Sequence, residues 1–275
     1  MPSIEPFIRW AGGKTWLIDY IQQLVGNISF EHYHEPFLGG GAVFFSLDYT
    51  KRSYLSDTNQ QLINTYIQVR DNPQQVLDLL AEFENTKDVY YKVRDEFDLE
   101  NNVENAARFI FLNQTSFNGI FRVNKKGRYN VPYGYRYNRN YDINRVKLAS
   151  RKLKNTRIEV GDFEANKYRI QEHDLVFLDP PYTVSHNNNG FIEYNQDLFS
   201  LEDQYRLSSF IDYIKRKDAY YILTNAAHET VASIFEKGDR RIELGRPSLI
   251  GGKNAKRQRT NEYIFTNIPG GEKNE

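Results

Sequence analysis

The chain has 275 residues, no cysteine, and 36 basic residues balanced by 36 acidic ones, a formal net charge of zero. Its length and 40% hydrophobic content suffice for a large domain, or a core with one insertion, around a real hydrophobic interior. The missing cysteine excludes disulfides, cysteine-based zinc sites and every mechanism that needs a thiolate nucleophile.

In chain order, the first ten residues lack a basic segment followed by an apolar run, so no signal peptide is expected. No stretch approaches the roughly 20 apolar residues of a membrane span. A cytoplasmic protein is the default expectation. Residues 32–37 and 53–55 read as short strands, and 157–160, 175–178 and 220–223 repeat the pattern later. A helix is expected over 202–217, with Tyr205, Phe210, Ile211 and Ile214 on one side. Strands alternating with helices indicate an α/β fold with a mostly parallel sheet.

The middle differs. Asn72 and Pro73 read as cap and first residue of a helix whose apolar stripe is Val76, Leu77, Leu80 and Phe83. Helical patterns follow at 89–97 and 103–112, then a Gly/Asn-rich hairpin over 117–134, and Asp142 caps one more helix to about Leu153. The expected division is a core of residues 1–60 and 156–275 interrupted by a helical insertion, 61–155, that carries the hairpin.

Zero net charge conceals a segregation. Residues 122–157 hold twelve basic side chains and one acid, Asp142, a surplus of eleven that the rest of the chain offsets. Tyr129, Tyr133, Tyr135, Tyr137 and Tyr141 are interleaved with these cations, as are Asn124, Asn130, Asn138 and Asn140. Arginine, asparagine and aromatic groups together offer phosphate pairing, base-edge hydrogen bonds and stacking. The pattern favours a nucleic-acid partner, with Arg122, Arg128, Asn124 and Asn130 among the candidate contacts.

Chemistry concentrates in Asp179-Pro180-Pro181-Tyr182, directly after the apolar strand 175–178. A buried strand of an open α/β sheet presents its next residue at the carboxyl edge, where ligands bind. Two prolines stiffen the presentation and remove backbone donors. Asp179 and the Pro180 carbonyl can accept both hydrogens of an exocyclic amine, which localises its lone pair toward an electrophile, while Tyr182 offers a stacking face. The glycines at 39–41 follow Glu35-Pro36-Phe37-Leu38, and Asp57 lies where an acid can take the hydroxyls of a ribose, so a nucleoside-bearing cofactor is plausible. Gly13-Lys14-Thr15 matches the end of a P-loop, but the required first glycine falls at Ile8. Lys14 can instead bind a carboxylate, and Trp10 can stack on an adenine or pack as core. Asp162, between Gly161 and Phe163, is a second acid at a strand end. The five histidines show no metal-ligand spacing, and no metal is expected.

Together FIRWAGGK, HEPFLGGGA, LSD, GDF and DPPY, in this order, resemble the Dam-like family (D12 class, alpha group) of DNA adenine-N6 methyltransferases. The resemblance extends to the hairpin, to Arg246-Pro247-Ser248 and to Asn261-Glu262-Tyr263-Ile264. It implies a Rossmann-like methyltransferase core with S-adenosylmethionine as donor and S-adenosylhomocysteine as product. Trp10, Lys14, Asp57 and Asp179 match cofactor-contacting positions, and Glu35, Phe37, Gly39, Asp162 and Phe163 complete the implied pocket. The resemblance also implies that the hairpin enters double-stranded DNA: Phe117 inserts into the base stack, Arg122 reads a guanine, and Asn118, Ile120 and Pro132 lie nearby. Family members commonly act on GATC; Phe117, Phe121 and Arg128 depart from the close enterobacterial pattern. The implied activity is methylation of a flipped adenine by a monomer, with a separately acting restriction endonuclease as a candidate partner. The alternatives are amino methylation of cytosine N4, an RNA adenine or a protein glutamine, and a non-catalytic DNA-binding relative. Cytosine-N4 and glutamine enzymes usually carry serine or asparagine where Asp179 stands.

Overall fold

A computed structural model describes residues 4–48, 51–95, 102–135, 142–182, 199–247 and 259–270. Arg136, Tyr137, Asn138, Arg139, Asn140 and Tyr141 of the basic segment lie outside these residues, as do Phe97, His186 and Ser248. The chain packs as two compact units, the first formed by Met1–Ile18 and Leu38–Asp162, the second by Asp19–Phe37 and Phe163–Glu275.

In the second unit, β1 (Tyr33–Glu35), β4 (Leu175–Leu178) and β5 (Tyr220–Ala226) run parallel. β7 (Arg259–Thr266) pairs antiparallel with β5 and also with β6 (Arg240–Pro247), which forms the outer edge of this unit's strands. All four residues of β4 are buried, as a strand covered on both faces requires, and this explains its continuous apolar run. Helices α1 (Ile18–Val25, Ile18 itself counting with the first unit), α8 (Leu201–Arg216) and α9 (Glu229–Phe235) complete the unit. Ser200 and Asp203 form a reciprocal capping box at the start of α8. Leu207, Phe210, Ile211 and Ile214 are its buried stripe. Tyr205 was expected on that stripe and is exposed instead, because five residues of helix turn it well away from Phe210.

In the first unit, β2 (Ser53–Asp57) pairs in parallel with β3 (Thr156–Val160), residue for residue from Ser53↔Thr156 to Asp57↔Val160. Around them lie α2 (Ala42–Ser46), α3 (Gln60–Asp71), α4 (Pro73–Glu82), α5 (Lys87–Asp95), α6 (Val103–Thr115) and α7 (Ile143–Leu153). α6 packs on α3, α4 and α5, and α7 packs on α3 and α4. Pro73 opens α4 as expected, but the Asn72 side chain caps no helix N–H; its amide donates to Gln68 Oε1. Its backbone still links two helices, donating to Gln68 O and accepting from Val76 N. Phe83 ends α4 half-buried, outside the helix proper. Asp142 does cap α7, accepting from Arg145 N.

The expected α/β class holds, with parallel strands in both units and an antiparallel addition, β6–β7, that no apolar run announced. Both strands carry charged and polar residues along their length (RRIELGRP and RTNEYIFT). β6, at the edge, needs only one apolar face, so its sequence lacks the continuous apolar signature of β4. Among the described residues, no helix is long and apolar enough to cross a membrane.

Candidate active site

In the second unit, Asp179 follows β4 at its carboxyl end and is half-buried. Leu178 pairs with Leu223 on β5, so the next residues, Asp179 and Thr224, are neighbours across the ladder. Thr224 Oγ1 donates to Asp179 Oδ1 at 2.7 Å. Pro180 is buried, Pro181 exposed, and Tyr182 half-buried with its hydroxyl donating to Glu262 Oε2 at 2.7 Å. The carboxylate and the tyrosine ring expected to act together are thus each held by a side chain from the strands beyond β4.

β1 pairs with β4, with His34 opposite Val176, and ends at Glu35, only 2% exposed. Glu35 accepts from the Tyr33 hydroxyl at 2.7 Å. Burial, and then the nearby Glu35 charge, push the Tyr33 phenol well above its ordinary range, so the proton stays on Tyr33 as the donor of this hydrogen bond. Phe37 stacks on Phe163 at 5.4 Å between centroids. Phe163 is itself part of the hydrophobic core, with Phe199 and Phe210 around it and the Arg206 guanidinium over its ring.

In the first unit, Asp57 closes β2. Its Oδ2 accepts from Gly39 N and its Oδ1 from Asn59 N, both at 2.9 Å. Burial raises its pKa, against the opposing effect of these backbone donors. Each carboxylate oxygen has a second lone pair, so the group can still accept two hydroxyls of a diol. Asp162, exposed, follows β3, and Gly161 N donates to Asp57 O, so the two acids stand at adjacent strand ends. The glycine turn has a second physical reason here. Gly39 has φ +47°, and a Cβ on it would meet Trp10 Cδ1 at 2.7 Å; on Gly40 it would meet Trp10 Cβ at 3.1 Å. The Trp10 indole therefore lies against this glycine backbone, with Phe121 stacked on it at 5.6 Å. Lys14 is buried, and its ammonium donates to Gly12 O at 3.0 Å.

The hairpin 117–134 forms through isolated pairs, Ser116↔Tyr133 and Val123↔Tyr129, with a 3-10 turn over Phe117–Gly119 at its base. Phe117 is 53% exposed, and Asn118, Ile120, Arg122, Arg128 and Pro132 are exposed too. Asn124 is exposed, but its Oδ1 accepts from Lys126 N and Arg128 N and so builds the turn. Asn130 is half-buried and accepts from Arg122 Nε at 2.8 Å. Tyr129 and Tyr133 were expected as stacking faces and are instead buried, their hydroxyls bound to Ile120 O and to Asn85. These rings, with Val131, form the buried side of the hairpin, and Tyr135 is the exposed tyrosine among the described residues of this segment.

The basic segment also divides. Arg145 pairs with Glu5 and Asp142, Arg157 with Glu159, and Lys152 is buried with its ammonium on Leu47 O. Burial, opposed by Asp48, lowers Lys152 to about 8. Below the amino ends of β2 and β3, a cleft of about 390 Å³ is lined by Arg52, Arg70, Lys154 and Arg157. Arg70 there is engaged by Asp71 and by Thr156 O.

Three anchoring residues went unseen in the sequence. Thr224, with Asn225, follows the apolar run 220–223 on β5, and Glu262 belongs to the quoted Asn-Glu-Tyr-Ile stretch. Asn113, buried on α6, accepts from Arg9 N and donates to Arg9 O and Gly119 O, tying the N-terminal motif to the hairpin base. Thr224 and Asn113 are polar residues at the end of an apolar run, Glu262 lies in a polar stretch, and the meaning of each depends on a partner in another element.

Residues 10–246 match the family of D12 class N6 adenine-specific DNA methyltransferases. The chain is 35% identical to the type II methyltransferase M1.LlaDCHI of Lactococcus lactis subsp. cremoris, covering 96% of each chain. It is 38% identical to the type II methyltransferase M.MjaIII of Methanocaldococcus jannaschii, over 82% of this chain and 85% of that one. The DNA adenine methylase of Vibrio cholerae is 28% identical over 84% of this chain and 83% of its own. With the acid-proline-proline-tyrosine stretch at the end of a buried parallel strand, and the glycine turn bound to the acid after β2, these matches establish that the chain belongs to the D12 class of N6 adenine-specific DNA methyltransferases.

Proposed function

We propose that the chain transfers a methyl group from S-adenosylmethionine to N6 of an adenine flipped out of double-stranded DNA. The observation that carries this reading is Asp179, half-buried at the carboxyl end of β4 with one carboxylate oxygen already held. Flipping costs a few kcal/mol, and stacking on Tyr182 offsets part of it. Asp179 and the Pro180 carbonyl accept the two amino hydrogens, which turns the N6 lone pair toward the methyl donor. When bound, S-adenosylmethionine supplies the electrophilic methyl and leaves as S-adenosylhomocysteine. Positioning does most of the catalytic work.

The donor set fits this cofactor. Asp57 retains acceptor capacity for the ribose hydroxyls, Lys14 is a buried cation suited to the amino-acid carboxylate, and Trp10 offers an aromatic edge to the adenine. Glu35, Phe37, Gly39, Asp162 and Phe163 complete the assignment. We assign residues 61–155 to target recognition, with Phe117 as the inserting side chain and Arg122 as the guanine reader, assisted by Asn118, Ile120, Arg128 and Pro132. Asn124 and Asn130 shape the hairpin. The enzyme acts as a cytoplasmic monomer beside a separately acting restriction endonuclease, a pairing supported by the type II relatives.

Labelled-methyl transfer to duplex DNA followed by nucleoside analysis tests this. Wild-type protein is expected to yield N6-methyladenine, and Asp179→Ala to yield none while DNA binding persists. N4-methylcytosine as the product, or near-normal turnover by the variant, overturns the reading.

A further inference from the structure

Asp-Pro-Pro-Tyr is unusual in how it must be held. Two of its four residues lack a backbone N–H, so main-chain hydrogen bonds alone cannot fix it. Its first residue also has a loose final torsion: an aspartate carboxylate rotates in a broad, two-fold well about χ2. A carboxylate that must accept one amino hydrogen needs an external anchor for its other oxygen.

The antiparallel β5–β7 pair supplies that anchor. Thr224 is fully buried on β5, paired with Ile264 of β7 on one side and following the Leu223↔Leu178 pair on the other. It is β-branched, hence stiff at χ1. Its hydroxyl has one hydrogen. Asp179 Oδ1 stands at 2.7 Å and Leu178 O at 3.4 Å, so the proton goes to the carboxylate. Two positions further along the same ladder, opposite Ala226, lies Glu262, 3% exposed, which takes the Tyr182 hydroxyl at 2.7 Å. The two anchors follow one another along the strands as Asp179 and Tyr182 follow one another along the chain.

We propose that Thr224 and Glu262 are positioning residues for methyl transfer: Thr224 orients the Asp179 carboxylate so that Oδ2 faces the amine, and Glu262 fixes the plane of the Tyr182 ring. The proposal rests on the catalytic assignment of Asp179 and Tyr182 made above. It gives the C-terminal antiparallel strands a role in turnover.

Steady-state kinetics of Thr224→Val and Thr224→Ser test it, with thermal unfolding run alongside. Thr224→Val keeps the shape and removes the hydroxyl. It is expected to lower kcat roughly tenfold to a hundredfold, with KM for cofactor and DNA unchanged. Losing a hydrogen bond to the ionised carboxylate also moves the acid limb of the rate profile to higher pH, which a purely structural role does not do. Thr224→Ser is expected to recover most of the turnover. If Thr224→Val fails to fold, Glu262→Ala against Glu262→Gln gives the parallel comparison, since glutamine still accepts from Tyr182. Thr224→Val with wild-type kcat and acid limb, or glutamine no better than alanine at 262, overturns the proposal. Asp179→Ala in the same assay separates the two levels. An active Asp179→Ala sinks the catalytic assignment; an inactive one beside a wild-type Thr224→Val sinks only the positioning role.

Discussion

Arg122, the proposed guanine reader, is oriented by the hairpin itself. Its Nε donates to Asn130 Oδ1 and its Nη2 to Asn130 O at 3.3 Å, so the hairpin partner strand holds the guanidinium while the side chain stays exposed. A base-reading arginine held in this way loses less side-chain freedom on binding than a free one. Arg122→Ala is therefore expected to cost about 1–3 kcal/mol of sequence discrimination, measured as relative methylation of duplexes substituted one base at a time. Asn130→Ala leaves the cation and frees it, so a smaller loss of the same kind is expected. An unchanged preference in Arg122→Ala removes it from recognition. Gly39 shows the complementary lesson. A cofactor approaching the backbone explains a glycine there, but so do its positive φ and the Trp10 indole lying where a Cβ would stand.

At the scale of elements, the hairpin depends on how closely its two ends meet. Gly134 N donates to Thr115 O, and a Cβ at Gly134 would stand 2.6 Å from Ser116 O and 2.8 Å from Ser116 C. Backbone atoms cannot swing aside as a side chain can. Gly134→Ala is expected to cost about 1–3 kcal/mol by overpacking, seen as a lower Tm, and to weaken DNA binding while cofactor binding persists. Wild-type DNA affinity in this variant would show that the hairpin base is not what presents Phe117 and Arg122. Elements with strong periodicity were legible in advance: α8, α6, the Asp142-capped α7 and β4 stand within a few residues of their expected places. Less legible were the partners of polar side chains. Tyr205 sat in an apolar pattern yet points outward, and Tyr129 and Tyr133 sat among cations yet form a core. Pattern gives a residue's face on its own element; only the neighbouring element decides whether that face is covered.

Across the whole molecule, one buried carboxylate and the histidines around it give stability an acid dependence. Asp174, fully buried before β4, accepts from His32 N and Gln171 N and contacts His32 Nδ1 at 2.9 Å and His34 Nε2 at 2.8 Å. Burial lowers the His34 pKa from 6.5, outweighing the opposing pull of Asp174. Burial alone would raise Asp174, but hydrogen bonds from His34, Gln171 N and His32 leave it lowered from 3.8. Both groups bind protons more readily when unfolded, so their contribution is full at neutral pH and shrinks as pH falls. The His34 part is lost from about pH 6.5 downward through its lower folded value, and the Asp174 part below pH 3.8. Thermal unfolding between pH 7 and 5 is expected to fall in the wild type and to flatten in His34→Asn. Parallel curves for the two proteins would exclude His34 as the source.

The sequence by itself determined the chemistry: the absent thiol, the acid-proline-proline-tyrosine stretch after an apolar strand, the glycine turn with its acid, and the concentration of positive charge in one segment. These are local facts, because residue type and spacing along one strand or turn suffice to express them. Tertiary structure decided which of those residues are held and which are presented. It divided the basic segment between hairpin cations at the surface and a lysine buried on Leu47 O. It also put Thr224 and Glu262, 45 and 80 residues from their partners, against the Asp-Pro-Pro-Tyr stretch. Such contacts arise from strand pairing between segments distant in the chain, and a register between strands is written in no single stretch of sequence.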